Sequence, residues 1–312
     1  MFNWEVCLLT LQQMGSLMCY IALGYGLRRF KVLPQDADQT LSKLVTMLFC
    51  PAYNIANLSV TMTPENLGSN LKLLGFGTVI IFTALALAFG LSRFLGRSPL
   101  EKRSLTYAFT FTNYGYFGYP LVAGVFGTTA LGQLMSFCII IALVTNTAGY
   151  LLFAGKLSWR KILLSPLILA VVIGVMMGLC RIRLPQAAQT MLTGMGNCMS
   201  PVSMLLAGFV LGAYPLKQLL SGTHSWLCGA IRLLAIPALF VGALYLLGAR
   251  GMYLLIPGAF LALPPGLNMV VFPASFGHDT RDNAKLCFVS HVLALPILPL
   301  AFAALQALSE HA

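Results

Sequence analysis

Ten times along its 312 residues the chain runs for about 20 residues with little or no internal charge, long enough for a helix to cross a hydrocarbon layer roughly 30 Å thick. These stretches lie at about 6–27, 40–60, 71–95, 104–126, 131–155, 161–180, 189–213, 224–247, 253–276 and 284–307. The apolar residues form continuous runs such as Val79-Ile80-Ile81-Phe82 rather than alternating segments, so helices are expected and not a barrel. Charged residues are only 9% of the chain, where an ordinary soluble domain carries about 25%. That excludes a cytosolic enzyme. The net charge of +11 reflects a scarcity of acids and no basic tract, which leaves no nucleic-acid partner. The expected class is an all-α integral membrane protein of ten transmembrane helices, with the lipid bilayer as its main solvent. The opening Met1-Phe2-Asn3-Trp4-Glu5 has no positive segment, so the first stretch is expected to be a retained helix.

Orientation follows from Lys and Arg. Thirteen of the 19 fall in connections 1–2, 3–4, 5–6, 7–8 and 9–10, among them Arg28, Arg29, Lys31, Arg93, Arg97, Lys102, Arg103, Lys156, Arg160 and Lys161. The other side has Lys72, Arg181, Arg183 and Arg250, while Lys43 and Arg232 lie within spans. The odd connections are therefore expected in the cytoplasm and both termini outside, in a cell inner (plasma) membrane. The eight cysteines include no CxxC pair and sit almost entirely in apolar stretches, where they read as small buried hydrophobes. No metal or other cofactor is implied.

The two halves resemble each other. Leu33-Pro34-Gln35 recurs as Leu184-Pro185-Gln186, Pro51 as Pro201, and Phe126-Gly127 as Phe276-Gly277, the last two pairs 150 residues apart. Residues 1–155 and 156–312 then form two five-helix repeats. Because five is odd, the second copy must be inverted, and inverted repeats are the geometric basis of alternating access in many transporters.

Proline interrupts the fourth and ninth stretches. In Asn113-Tyr114-Gly115-Tyr116-Phe117-Gly118-Tyr119-Pro120, Pro120 clashes with the carbonyl of Tyr116 and suits the start of a second half-helix. Pro264-Pro265-Gly266-Leu267-Asn268 repeats the theme in the ninth. Half-helix N-termini meeting at mid-membrane present N–H groups suited to an anion. Asn113, Tyr116, Gly118, Pro120, Gly266 and Asn268 are the candidate substrate-binding residues; the two asparagines can alternatively bond helix to helix. Lys43 can attract anions or snorkel to the membrane surface, and Arg232 has the same choice. His291 can couple transport to protons or make a structural hydrogen bond. All eight acids fall at or outside span ends, which fits an anion cavity and disfavours cation coupling through an intramembrane carboxylate.

Taken together, the prolines of spans 2 and 7, the stretch Asn113 to Pro120, Ser200-Pro201 followed by Leu211-Gly212, and Pro264 to Asn268 resemble the auxin efflux carrier family, which includes bacterial permeases for malonate and other organic acids. The resemblance covers nearly the whole chain. It implies a scaffold of spans 1, 2, 6 and 7, a mobile transport domain of spans 3–5 and 8–10, elevator-like movement, a homodimer, and a substrate carboxylate at the crossover of spans 4 and 9. Asn113 and Pro120 match the family's span 4 motif and Asn268 fits the bacterial pattern of span 9, whereas plant carriers have a Pro nearby where this chain has Met269, and their long cytoplasmic loop is missing. The expected function is a secondary transporter for a small organic anion, a mono- or dicarboxylate. A sodium-coupled relative of the bile acid symporters and a non-transporting membrane sensor are the alternatives; an intramembrane enzyme is disfavoured because HExxH, GxSxG and paired intramembrane aspartates are absent.

Overall fold

The computed structural model describes residues 3–154 and 162–310; Lys156, Arg160 and Lys161, counted above in connection 5–6, lie outside the described residues. The described chain is helical, with one isolated β-bridge. In order the helices of eight residues or more are α1 (Trp4–Arg29), α2 (Ala37–Thr61), α3 (Leu67–Leu95), α4 (Pro99–Thr110), α5 (Tyr114–Ala154), α6 (Pro166–Leu179), α7 (Gln186–Leu211), α8 (Thr223–Leu246), α9 (Met252–Ala262), α10 (Asn268–Ser275) and α11 (Arg281–Glu310).

Among the described residues, seven of these are long and apolar enough to cross a membrane, fewer than the ten expected stretches. The difference has local causes. α5 runs 41 residues through the fourth and fifth stretches, bending at Gly127 (φ 84, ψ 176), a conformation reserved for glycine. α6 is a shorter apolar helix of 14 residues. The ninth stretch is divided into α9 and α10 by the extended Leu263–Gly266 segment.

Helix starts follow the sequence closely. The Asn3 side chain accepts from the backbone N–H groups of Glu5 and Val6 at 3.0 and 3.4 Å. Ser98 and Ser165 cap α4 and α6, each followed by a proline that has no N–H to lose at that position.

Packing rests on close backbone approach. α1 lies on α7 where Gly24 faces Leu205 and Gly208 faces Ile21; a Cβ on either glycine would sit 1.9 Å from a carbonyl oxygen. α6 lies on α2 in the same manner, with Gly174 against Asn54–Leu58 and Gly178 against the Met62 carbonyl. Small-residue spacings thus serve contacts within the chain, as membrane helices require when lipid is as apolar as leucine. α3 packs on α4 and α5, and α11 against α1, α8 and α9.

The end of α1 recurs 150 residues later at the end of α6. Among the described residues, Lys31 (φ 56) and Arg181 (φ 55) are the two non-glycine residues with positive φ. The N–H of Lys31 bonds the carbonyl of Arg28, and that of Val32 bonds Leu27; Arg181 bonds Gly178 and Ile182 bonds Met177 in the same pattern. This is a Schellman ending with a basic residue where glycine is usual. Gly127 (φ 84) and Gly277 (φ 74) form a second matched pair.

The cysteines divide: Cys50, Cys138, Cys228 and Cys287 are buried, while Cys19, Cys180 and Cys198 are exposed. The expectation of small buried hydrophobes holds for the first group. Cys180 ends α6 and Cys198 lies within α7, both on outward-facing surface.

Candidate functional site

α4 and α9 both stop inside the bundle, and the chain continues as two extended segments that cross antiparallel. Thr112 pairs with Pro265, the Asn113 N–H donates to the Pro264 carbonyl at 2.8 Å, and the Gly266 N–H donates to the Phe111 carbonyl at 3.2 Å. Backbone groups freed by the breaks therefore satisfy one another, as a low-dielectric interior demands. The break in the fourth stretch falls at Phe111–Asn113, upstream of Pro120, which sits in the first turn of the following α-helix.

Beyond the crossing, α5 and α10 begin. Four helix ends thus meet at one place: the C-termini of α4 and α9, which carry partial negative charge, and the N-termini of α5 and α10, which carry partial positive charge. Arg232, on a π-helical turn of α8 at Ile231–Ala235, is only 1% exposed and donates from Nη1 to the Leu261 carbonyl at 2.8 Å. It neither snorkels nor reaches the cavity. Its guanidinium caps the negative end of α9.

A cavity of about 300 Å³ opens beside the crossing, its walls including Thr112, Asn113, Tyr116, Gly266 and Asn268. The first residues of both half-helices, Tyr114–Tyr116 and Leu267–Asn268, stand on this wall, and N–H groups at helix starts have no acceptor within their own helix. Thr112 is 4% exposed and its hydroxyl has no protein partner. Asn113 is buried and its Nδ2 lies 3.4 Å from His291 Nε2. Tyr107 completes one wall beside Asn268.

Of the expected residues, Asn113, Tyr116, Gly266 and Asn268 meet at the cavity. Gly118 is buried behind it, where a Cβ would strike Leu263. Pro120 lines a second cavity of about 560 Å³ with Gln13, Asn57, Gln189 and Ser200. Between the two cavities the rings of Tyr53 and Tyr119 stack at 5.8 Å, and the Ser200 hydroxyl donates to the Tyr116 carbonyl at 2.7 Å. Lys43 is exposed and does not line the cavity, whose walls carry its neighbours Ser42 and Thr46 instead. His291 is buried and touches the site through Asn113.

Sequence reasoning missed Thr112, Asn54 and Asn146 as cavity residues. The amides of Asn54 and Asn146 donate to carbonyls four residues back at 2.8 Å, leaving their oxygens as acceptors. The polar run Thr145-Asn146-Thr147 inside an apolar stretch was the available signal. π-helical turns at Val45–Phe49, Tyr114–Gly118 and Thr145–Gly149 each contribute residues to the wall. Such turns widen a helix locally and recur at functional sites.

A sequence profile described as "Membrane transport protein" matches residues 9–158 and 150–302. An uncharacterized transporter from Methanothermobacter thermautotrophicus is 24% identical over 294 residues, covering 91% of this chain and 95% of the relative. The chain belongs to this membrane transport family, that of the auxin efflux carriers, and is a multi-pass membrane transporter.

Proposed function

We propose that the protein is an elevator-type permease for a small organic anion, a mono- or dicarboxylate, bound at the crossing of its two broken helices. The observation that carries this reading is the cavity wall itself. Two half-helix N-termini, the amides of Asn113 and Asn268 and the unpartnered Thr112 hydroxyl converge there, and the wall holds no acidic side chain. Hydrogen-bond donors without a fixed cation suit a carboxylate that must be released again. Tyr107, Tyr114, Tyr116 and Phe272 offer apolar faces for the rest of the substrate, and about 300 Å³ is the size of a small-molecule site.

Ten spans in two inverted repeats, divided near residue 155, accord with the turns and glycine contacts that recur at an interval of 150. In this reading the α1–α7 and α2–α6 pairs form the scaffold, possess the same close approach in mirrored halves, and provide the homodimer surface. The remaining helices move. The cavity mouth, at Ser42, Thr46, Asn146 and Ser165, lies by the connections rich in Lys and Arg, so this conformation faces the cytoplasm of a plasma-membrane protein whose termini are outside. The stacked Tyr53 and Tyr119 close the route to the second cavity.

Purified protein in proteoliposomes tests the assignment with a carboxylate panel, including malonate and phenylacetate, under varied sodium and pH. Uptake lost in Asn113→Ala with Asn268→Ala, with folding preserved, supports the crossing as the site. Undiminished uptake in that double variant overturns it.

A further inference from the structure

The contact between Asn113 and His291 has a definite polarity. His291 Nδ1 lies 2.8 Å from the Cys287 carbonyl, an oxygen that can only accept, so Nδ1 carries the proton. In the neutral ring Nε2 is then a lone pair, and the Asn113 amide meets it as a donor, through Nδ2 at 3.4 Å. The other pole of that amide, Oδ1, is an acceptor, the wrong group to offer a carboxylate, itself only an acceptor.

Protonation at Nε2 reverses the arrangement. The ring then donates on both nitrogens, and the Nε2–H needs an acceptor from Asn113. Rotation of the amide by half a turn supplies Oδ1 to the ring and frees both Nδ2 hydrogens for the cavity. We propose that His291 is the proton-coupling residue of this carrier, acting as a positioning residue: one proton on Nε2 flips the Asn113 amide, so that an organic anion and a proton bind together. The inference rests on the crossing being the anion site.

The surroundings of His291 support paired entry. Ionisable groups at buried or half-buried positions on the elements around it are Lys285 and Cys287 on its own helix, Glu101 and Tyr107 on α4, Tyr114, Tyr116, Tyr119, Cys138 and Tyr150 on α5, His224, Cys228 and Arg232 on α8, Cys7, Tyr20, Tyr25 and Arg28 on α1, and Tyr253 on α9; the one carboxylate among them, Glu101, is engaged with His224 and the Arg97 N–H. The buried residues of α1, α9 and α10 include none, and no carboxylate is buried among the described residues. Among the described residues no carboxylate bonds His291, whose hydrogen-bond partners are Asn113 and Cys287, and a buried unpaired charge is costly. The bound carboxylate supplies the opposite charge. Linkage makes the effect reciprocal: the proton raises anion affinity by the factor by which the anion raises proton affinity.

Calorimetry of the full-length protein with phenylacetate, in buffers of differing ionisation enthalpy, counts protons taken up per anion bound. The expectation is close to one proton for the wild type near about pH 8, with affinity falling up to about tenfold per pH unit above neutrality. His291→Gln retains an amide that can face Asn113 either way, so it binds phenylacetate with no proton uptake and a flat pH profile. Phenylacetate binding without proton uptake by the wild type overturns the coupling and leaves the anion site standing. Proton uptake undiminished in a folded His291→Gln variant also overturns it. Binding that survives in Asn113→Ala with Asn268→Ala overturns the site and the coupling with it.

Discussion

Asn113 and Asn268 stand at the starts of two half-helices that cross in mid-bundle, yet their surroundings differ. Asn113 is buried and held between the Pro264 carbonyl, through its backbone, and His291, through its side chain. Asn268 is half-buried on the cavity wall beside Tyr107. The helix ends that precede them differ too, since α9 is capped by Arg232 while no cationic side chain bonds the last carbonyls of α4 among the described residues. The two halves share backbone geometry and diverge in side chains. A repeated backbone supplies the mechanics, and the divergence decides what is bound and how tightly.

Matched substitutions test how far the halves are equivalent, and glycine contacts give the largest expected effect. Gly24 and Gly174 occupy corresponding places, but a Cβ on Gly24 would lie 1.9 Å from a backbone oxygen, whereas one on Gly174 would lie 2.9 Å from the Leu58 Cβ and 3.1 Å from the Asn54 carbonyl oxygen. The overlap at Gly24 is the deeper, so its helix pair would have to separate further. Gly24→Ala is expected to cost more than about 3 kcal/mol and Gly174→Ala about 1 kcal/mol, read as thermal midpoints in detergent. Equal losses would show that the α1–α7 and α2–α6 contacts carry equal strain.

The asparagines come next. A hydrogen bond to a charged group is worth about 1.5–3 kcal/mol, so Asn113→Ala should weaken carboxylate binding about 10- to 100-fold. Asn268→Ala should cost less than about tenfold, because water reaches its half-buried site and replaces part of the lost bond. A larger loss at Asn268 would reverse the assignment of the principal anion contact.

How much of this could be read beforehand depends on the scale of the signal. Apolar run length made the helical membrane class legible, because bilayer thickness leaves few alternatives. Proline and glycine marked which stretches break, but the break in the fourth lies at Phe111–Asn113, where no proline stands. There the antiparallel bonds to Pro264 and Gly266 favour extended backbone, and those partners are about 150 residues away in sequence. The π-helical turns were invisible for a related reason: they arise from packing and leave no composition of their own. Arg232 read as a residue that would either attract anions or snorkel. What buries it is a carbonyl on α9, a partner that hydropathy cannot disclose.

Arg232→Met therefore probes the difference between the capped and uncapped ends. It orphans the Leu261 carbonyl but removes a buried cation, and those contributions oppose each other. A net loss of about 1 kcal/mol is expected in the thermal midpoint, with carboxylate affinity at Asn113 little changed. A strong fall in affinity at unchanged stability would instead place the arginine's charge in the anion's field.

The smallest effect concerns the two turns that match most closely. Both Lys31 and Arg181 hold positive φ at a Schellman ending, so glycine at either place relieves backbone strain by a few tenths to about 1 kcal/mol. One contact sets the second turn apart: Arg181 forms an exposed ion pair with Glu65. The Glu65 carboxyl is held below its ordinary value, first by its own backbone N–H, then by the Thr63 hydroxyl, and to a smaller degree by Arg181. A carboxyl lowered in the folded state stabilises it at neutral pH and loses that contribution as pH falls through the folded value. Lys31→Gly should therefore stabilise more than Arg181→Gly at neutral pH. The gap between them should narrow as Glu65 protonates and in high salt, where exposed pairs are screened. Thermal midpoints of the two variants across that pH range decide the point: a gap that persists in acid would assign the difference to the turns themselves, and the equivalence of the two backbone endings would fail at the one place where they coincide bond for bond.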